Sequence, residues 1–196
     1  MEKDLKKLSN QELWQLFPII LKPYNKDYPQ QYKEEKKRII QMIGKDLIKR
    51  INHIGSTAVH GMLAKPTIDI LVELENEASL DLIKDKFDHD YICLEQKDAF
   101  NHKSCLFLKG YGESGFLDQV FHVHVRVLNN HKELYFRDYL KGHPHVAEKY
   151  GELKLELMKK YKHHRDNYTD AKGDFINKYT EIAKKIYPNK YKPKNV

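Results

Sequence analysis

Three stretches of this 196-residue chain carry residues whose types and spacing could do chemistry. The first is Ile54-Gly55-Ser56-Thr57, followed by Lys65 and then by Asp69 within the apolar run from Thr67 to Leu74. Glycine lets backbone approach an oxyanion closely, and Ser56 and Thr57 add hydroxyl and N–H donors. An aspartate on the next strand can hold a divalent cation that bridges to phosphate, while Lys65 neutralises phosphate charge. A bare Gly-Ser is as well explained by a tight turn with an N-capping serine; the strand on either side is what favours phosphate. The second stretch is His122-Val123-His124. Two apart on a strand, the imidazoles share a side with Cβ atoms roughly 6–7 Å apart, close enough to chelate one ion. With Asp69 they make a two-imidazole, one-carboxylate set that suits Zn, Mn or Fe better than Mg. The expected cofactor is accordingly a divalent metal (Zn, Mn or Mg), with His53 a fourth ligand or a partner behind the ligands. The competing reading is strand histidines that hydrogen-bond to neighbours or to phosphate. The third is a set of cations beside aromatic residues: Arg137, Lys141, Lys154, Arg165 and Lys172 near Phe136, Tyr139, Tyr161 and Tyr168. Arg137 and Arg165 could grip phosphate in bidentate fashion, and Tyr168 could stack on a base. Long helices also carry charged outer faces and aromatic cores for purely structural reasons.

These residues need elements to hold them. Residues 10–16 read as a short leading helix with Asn10 as N-cap, and Pro18 to Leu21 as a first strand. Tyr28 to about Ile43 is helical, with Pro29 near the start and Tyr32, Ile39, Ile40 and Ile43 towards one face. Residues 47–54 form a strand broken by Gly55, and Thr67 to Leu74 a central strand. A helix over 77–89 and strands at Tyr91–Glu95 and Cys105–Lys109 follow. From Asp118 to Leu128 the residues alternate: Phe121, Val123, Val125 and Val127 face the core, and Val120, His122, His124 and Arg126 line something wet. From His131 the chain turns helical for about 55 residues, with breaks near Gly142–Pro144 and His163–Asn167. The tail from Pro188 to Val196 is expected to fray, its lysines solvated. The fold class is α+β (α/β): a mixed sheet flanked by helices, with a C-terminal helical layer. Residues 1–17 read as an extension, 18–187 as one domain and 188–196 as a basic tail.

Composition narrows the function. Lys+Arg at 35 against 28 Asp+Glu leaves +7, which suits an anionic partner without identifying nucleic acid. There is no aromatic-platform motif, so nucleic acid is not the expected partner. No run approaches the ~18 apolar residues of a membrane span, and Met1-Glu2-Lys3-Asp4 opens no secretory signal. Cys93 and Cys105 make neither a disulfide framework nor a four-ligand zinc site, and the expected location is the cytoplasm. No Walker A loop, dinucleotide glycine fingerprint or nucleophile elbow is present.

His53-Ile54-Gly55-Ser56-Thr57-Ala58-Val59 with Lys65-Pro66-Thr67-Ile68-Asp69-Ile70-Leu71-Val72 closely resembles the signature of the GrpB-like (UPF0157) family of bacterial proteins. The resemblance continues in Phe121-His122-Val123-His124-Val125, in Phe136-Arg137-Asp138-Tyr139-Leu140, and in Arg165, Tyr168-Thr169, Lys172 and Phe175-Ile176. It implies a nucleotidyltransferase-like fold, whose superfamily pattern is Gly-Ser followed by Asp-x-Asp/Glu. It singles out Arg137, Arg165, Tyr168 and Lys172 among the helical residues, and some relatives are fused to dephospho-CoA kinase. The chain departs from the active pattern. Position 71, where the second carboxylate would share metal with Asp69, is Leu71; Glu73 lies roughly 13 Å along the strand, too far for the same ion. The expectation is a domain that binds a nucleotide or other phosphorylated small molecule with a metal, and that catalyses nucleotidyl or phosphoryl transfer if it is an enzyme. The alternative is a non-catalytic binding or regulatory module linked to CoA biosynthesis. Asp69 is the candidate catalytic residue, Asp69, His122 and His124 the metal ligands, and Gly55, Ser56, Thr57, Lys65, Arg137, Arg165, Tyr168 and Lys172 the phosphate or substrate contacts.

Overall fold

The strand from Thr67 to Leu74 is apolar on both sides because it lies second in the sheet and is covered on both faces. Among residues 5–193, which the computed structural model describes, five strands form one mixed sheet. They are β1 (Ile48–Ile54), β2 (Thr67–Leu74), β3 (Ile92–Lys97), β4 (Lys103–Gly112) and β5 (Gly115–Val127), in the order β1-β2-β5-β4-β3. β2 and β5 run parallel, and the other neighbours are antiparallel. On one face Ile68, Ile70, Val72 and Leu74 of β2 join Val123 and Val125 of β5 in a core closed by two helices. Ile39 and Ile43 come from α2 (Tyr28–Ile43), and Leu80 and Ile83 from α3 (Glu77–Ile83). Gly44, at φ +90°, ends α2 and turns the chain towards β1.

The opposite face of the sheet positions the chemistry. Strand periodicity sends Asp69, Leu71 and Glu73 there, and the parallel register sets Asp69 beside His122, Leu71 beside His124 and Glu73 beside Arg126. The C-terminal helices cover this face: α4 (Lys132–Gly142), α5 (Pro144–Tyr161), α6 (Arg165–Asp170) and α7 (Gly173–Ile186). They have their own core around Tyr135, Tyr139, Leu140 and Ala183. Leu71, fully buried, packs with Ile54 and with Leu134 of α4, so the position where the resemblance led one to look for a second carboxylate is an apolar plug between the layers. Glu73 is also enclosed. Arg50 of β1 binds it twice, Nε to Oε2 at 2.5 Å and Nη2 to Oε1 at 2.6 Å, and the Asn129 amide donates to Oε1 at 3.3 Å.

Several boundaries differ from the sequence expectation. Pro18 to Leu21 does not join the sheet: Pro18 has no N–H to give a ladder, the Ile19 amide donates to Lys162 O at 2.8 Å, and only Lys22 forms a lone bridge, to Ala64. The leading helix, α1 (Asn10–Leu16), is capped by Ser9 rather than Asn10, in a capping box with Glu12. The helix expected over 77–89 stops at Ile83 and tightens into a 3₁₀ turn, Lys84–Lys86. The basic tail is held in place as far as it is described. Tyr191 donates its hydroxyl to Asp138, Lys190 Nζ lies 2.6 Å from Asp138 Oδ2, and Arg50 donates to Tyr191 O at 3.1 Å. Lys194 lies outside the described residues.

Candidate functional site

β1 is followed by Gly55 at φ +70°, a backbone shape that side chains resist, and the space a Cβ would fill there is occupied by Asp69 Oδ2. Glycine is therefore required twice over, by conformation and by the close approach of the Asp69 carboxylate. Beyond it a 3₁₀ turn, Ser56–Ala58, carries the loop away from the sheet. The Thr57 hydroxyl donates to Thr67 O at 2.9 Å and also meets His53 Nε2 at 3.0 Å, so this side chain ties the loop to β2. With the Thr57 proton committed, His53 must be the donor of that pair. His53 stacks on Tyr32, and burial pushes its imidazole down to about 4.

Asp69, His122 and His124 each offer one ligand atom, all within 4.8 Å of one another. His122 Nδ1 lies 3.4 Å from Asp69 Oδ1, and His124 Nε2 lies 3.5 Å from the same oxygen. The other nitrogen of His122 is held by the Tyr111 hydroxyl at 2.7 Å, which fixes the ring with Nδ1 towards the aspartate. His124 Nδ1 is buried without a hydrogen-bond partner. Burial pushes His122 down to about 4, so its imidazole is neutral and able to ligate at neutral pH. Burial alone would raise the Asp69 carboxyl, but hydrogen bonds from His122 and His124 hold it well below the usual carboxylate range. The donor set fits a divalent metal with affinity for imidazole nitrogen, Zn or Mn more readily than Mg.

Asp69 and His122 line a cavity of about 260 Å³ between the sheet and the helical layer, together with Gly55, Ser56, Lys65, Lys154, Arg165 and Lys172. Among the described residues none of these four cations is ion-paired to a carboxylate, and Asp69 is the one acid in the lining. Burial, aided by Arg165 and Lys172, pushes Lys65 down to about 7; burial and Lys172 push Lys154 down to about 7; burial brings Lys172 to about 8. Lys154 Nζ donates to Ser56 Oγ at 3.1 Å and to Leu63 O, and this leaves the Ser56 hydroxyl proton free for another acceptor.

Most of the residues singled out from the sequence meet here, but Arg137 does not line this cavity. Its guanidinium donates to Asn52 Oδ1 at 3.1 Å, His53 O at 2.9 Å, Asp138 Oδ1 at 2.8 Å and Tyr191 Oη at 2.9 Å, so it joins β1 to α4 and the C-terminal segment. Tyr168 lines the cavity but is almost wholly buried, under Lys172 Nζ at 4.3 Å, and has no exposed ring face for a base. His53 stands behind the turn and outside the metal-ligating group. Lys154 was named among the helical cations but not among the phosphate contacts, while Tyr150 and Thr67 of the lining and Tyr111 behind His122 were not singled out. The signal for Lys154 was its place on the apolar side of α5 beside Val146, Ala147 and Tyr150, all buried.

Sheet, helical cover and the candidate site between them define one α+β domain. A family model described as GrpB protein matches residues 18–182, and the chain belongs to that family. The UPF0157 protein YqkA of Bacillus subtilis is 31% identical over 83% of this chain, and the chain spans only 46% of that protein's length. The glutamate-rich protein GrpB of Alkalihalophilus pseudofirmus is 28% identical over 81% of this chain and 91% of its own. The crystal structure of conserved protein GrpB from Enterococcus faecalis superposes with a TM-score of 0.74 at 30% identity, covering 86% of this chain and 99% of that one. Among the described residues no helix is long and apolar enough to cross a membrane.

Proposed function

We propose that the protein binds a nucleotide or another phosphorylated small molecule together with a divalent metal, in the manner of a nucleotidyltransferase-like domain. One observation carries this reading: Lys65, Lys154, Arg165 and Lys172 surround a cavity whose single acid is Asp69. Partly buried cations without counter-ions are unfavourable, and a polyphosphate relieves them. Arg165 offers a bidentate fork, Ser56 a hydroxyl donor and the lysines point charges. Asp69, His122 and His124 would hold the metal, which supplies charge stabilisation at a phosphoryl oxygen. If turnover occurs, phosphoryl or nucleotidyl transfer is the reaction this arrangement suits, since such chemistry is mostly positioning and electrostatics.

The test is calorimetric titration with tripolyphosphate, the four ribonucleoside triphosphates and CoA precursors, with and without manganese. Binding that manganese strengthens in the wild type, but not in Asp69→Asn, is the expected result. No heat at millimolar ligand ends the proposal. Leu71 favours a second reading, a binding or regulatory module without turnover, because it plugs the place of the second carboxylate. Equal and negligible transfer by the wild type and Asp69→Ala, with binding intact in the wild type, selects the module.

A further inference from the structure

A second space, of about 360 Å³, adjoins the cation-lined cavity: Lys65, Thr67 and Arg165 line both. The two lie along one face of the sheet. The register pair Thr67–Val120 lines the new cleft, and the next pair on that face, Asp69–His122, lines the cavity about 7 Å further along the strands. Tyr111 joins them too, its ring in the cleft wall and its hydroxyl on His122 Nε2 at 2.7 Å. Phe17, Ile19 and Ile20 from the segment after α1, and Phe116 and Leu117 from the start of β5, supply the other walls with Pro18 and Pro66. Among the described residues none of these apolar side chains belongs to an apolar core. Ile20, Phe116 and Leu117 are 38%, 39% and 59% exposed. Large apolar side chains gathered at one cleft and facing water are unfavourable, and a bound apolar group relieves them. The polar side chains that complete the lining, Lys22 and Asp118, are both exposed.

We infer that this cleft takes the apolar body of an alkyl or aryl phosphate whose anionic head lies between Lys65 and Arg165, at the boundary with the cavity. The inference rests on the phosphate reading of the cavity and narrows its ligand to an amphiphile. A bare polyphosphate would leave Phe17, Ile20, Phe116 and Leu117 uncovered. A nucleoside would cover them, but beyond the residues shared with the cavity it meets only Lys22, Asp118 and a Tyr111 hydroxyl already engaged by His122. Several donors and acceptors of its base and ribose would then lose water without replacement. An alkyl or phenyl group carries no such cost and gains from every carbon it buries.

The experiment is calorimetry on the full chain in manganese, with methyl, butyl, hexyl and phenyl phosphate, hexanol, AMP and tripolyphosphate as probes. Wild type is compared with the double variant Ile20→Gln/Leu117→Gln, both of whose positions are exposed. The expected result in the wild type is an affinity that rises about threefold per methylene from methyl to hexyl phosphate. Phenyl phosphate then binds at least about tenfold tighter than methyl phosphate, and AMP and hexanol bind more weakly than hexyl phosphate. In the double variant the gain per methylene falls below about twofold, while tripolyphosphate affinity is kept, which also reports that the protein is folded. Tripolyphosphate binding with no effect of chain length in the wild type overturns the inference and leaves the cavity reading standing. So does a chain-length gain that the double variant retains, or a double variant that weakens tripolyphosphate as much as hexyl phosphate. Hexanol as tight as hexyl phosphate overturns the placing of the head, and AMP as tight as hexyl phosphate overturns the ligand class. Absence of binding by tripolyphosphate and every phosphate ester overturns the cavity reading itself, and this inference with it.

Discussion

Lys154 and Lys172 make the cavity sensitive to pH, and the sign can be worked out from their surroundings. An ordinary lysine titrates at 10.5; burial brings these two to about 7 and about 8 in the folded protein. Between those values and 10.5 the unfolded chain binds more protons than the folded one. Stability of the ligand-free protein therefore rises with pH across that window and falls as pH drops towards 7. A bound polyphosphate reverses the effect by favouring the charged lysines, so binding above neutrality takes up protons. Tripolyphosphate affinity should fall by up to about tenfold per pH unit for each proton taken up as pH rises above about 7. Titrations in two buffers of different ionisation enthalpy count the protons, and Lys154→Met should lower the count by one. Affinity that does not change with pH would mean the lysines do not meet the anion. Gly55 belongs to the same scale. A Cβ there must adopt φ +70° and displace Asp69 Oδ2, so Gly55→Ala should cost about 2 kcal/mol or more in chemical denaturation and weaken metal binding.

At the scale of elements, β2 explains both what was legible in the sequence and what was not. Alternation put His122 and His124 on one face of β5 and Asp69 on one face of β2, but that the two faces are the same was set by the parallel register of β2 and β5, which the sequence did not show. The same alternation put Leu71 and Glu73 on that face, but could not say that α4 would press Leu134 onto one and that Arg50 would enclose the other. Contacts to the helical layer depend on residues far along the chain: Lys154 reaches Ser56 across 98 positions. α5 carries several lysines, and spacing placed Lys154 on its buried side with Tyr150 without showing that this side opens onto the cavity. Pro18 to Leu21 failed as a strand for a related reason, since its apolar residues pack while its backbone bonds elsewhere. Placing an acid at position 71 tests this view of β2. Leu71→Asp would bury a carboxylate against Ile54 and Leu134 instead of presenting it to a metal. It should cost about 3 kcal/mol or more in urea denaturation and bring no gain in manganese affinity. A stable variant with tighter manganese binding would show that the position opens to the site.

Among the described residues the two larger apolar cores lie one on each side of the sheet, and the candidate site lies where the second of them meets the sheet. Three of its four cations come from α5, α6 and the turn that follows α6, while Lys65 comes from the loop before β2 and the acid and imidazoles from β2 and β5, so its geometry depends on how firmly the helical layer is held down. The C-terminal segment contributes to that hold. Tyr191 accepts from Arg137 Nη2 at 2.9 Å, gives its own hydroxyl proton to Asp138, receives Arg50 on its carbonyl at 3.1 Å and donates its amide N–H to the Tyr135 hydroxyl oxygen at 3.2 Å. One residue thus links β1 to α4, and α4 packs on α7, which follows Lys172 directly. Removing that side chain strips Arg137 and Asp138 of a shared partner without touching the cavity wall. Tyr191→Ala should lower stability by about 2 kcal/mol in urea denaturation. It should also weaken tripolyphosphate binding, although Tyr191 lies outside the cavity lining. Tyr191→Phe keeps the ring and loses only the hydroxyl bonds, so it should fall between the wild type and Tyr191→Ala in both measurements. If Tyr191→Ala loses stability yet binds tripolyphosphate as the wild type does, sheet and helical layer hold their relative position without the clamp, and the cavity owes its shape to the second core alone.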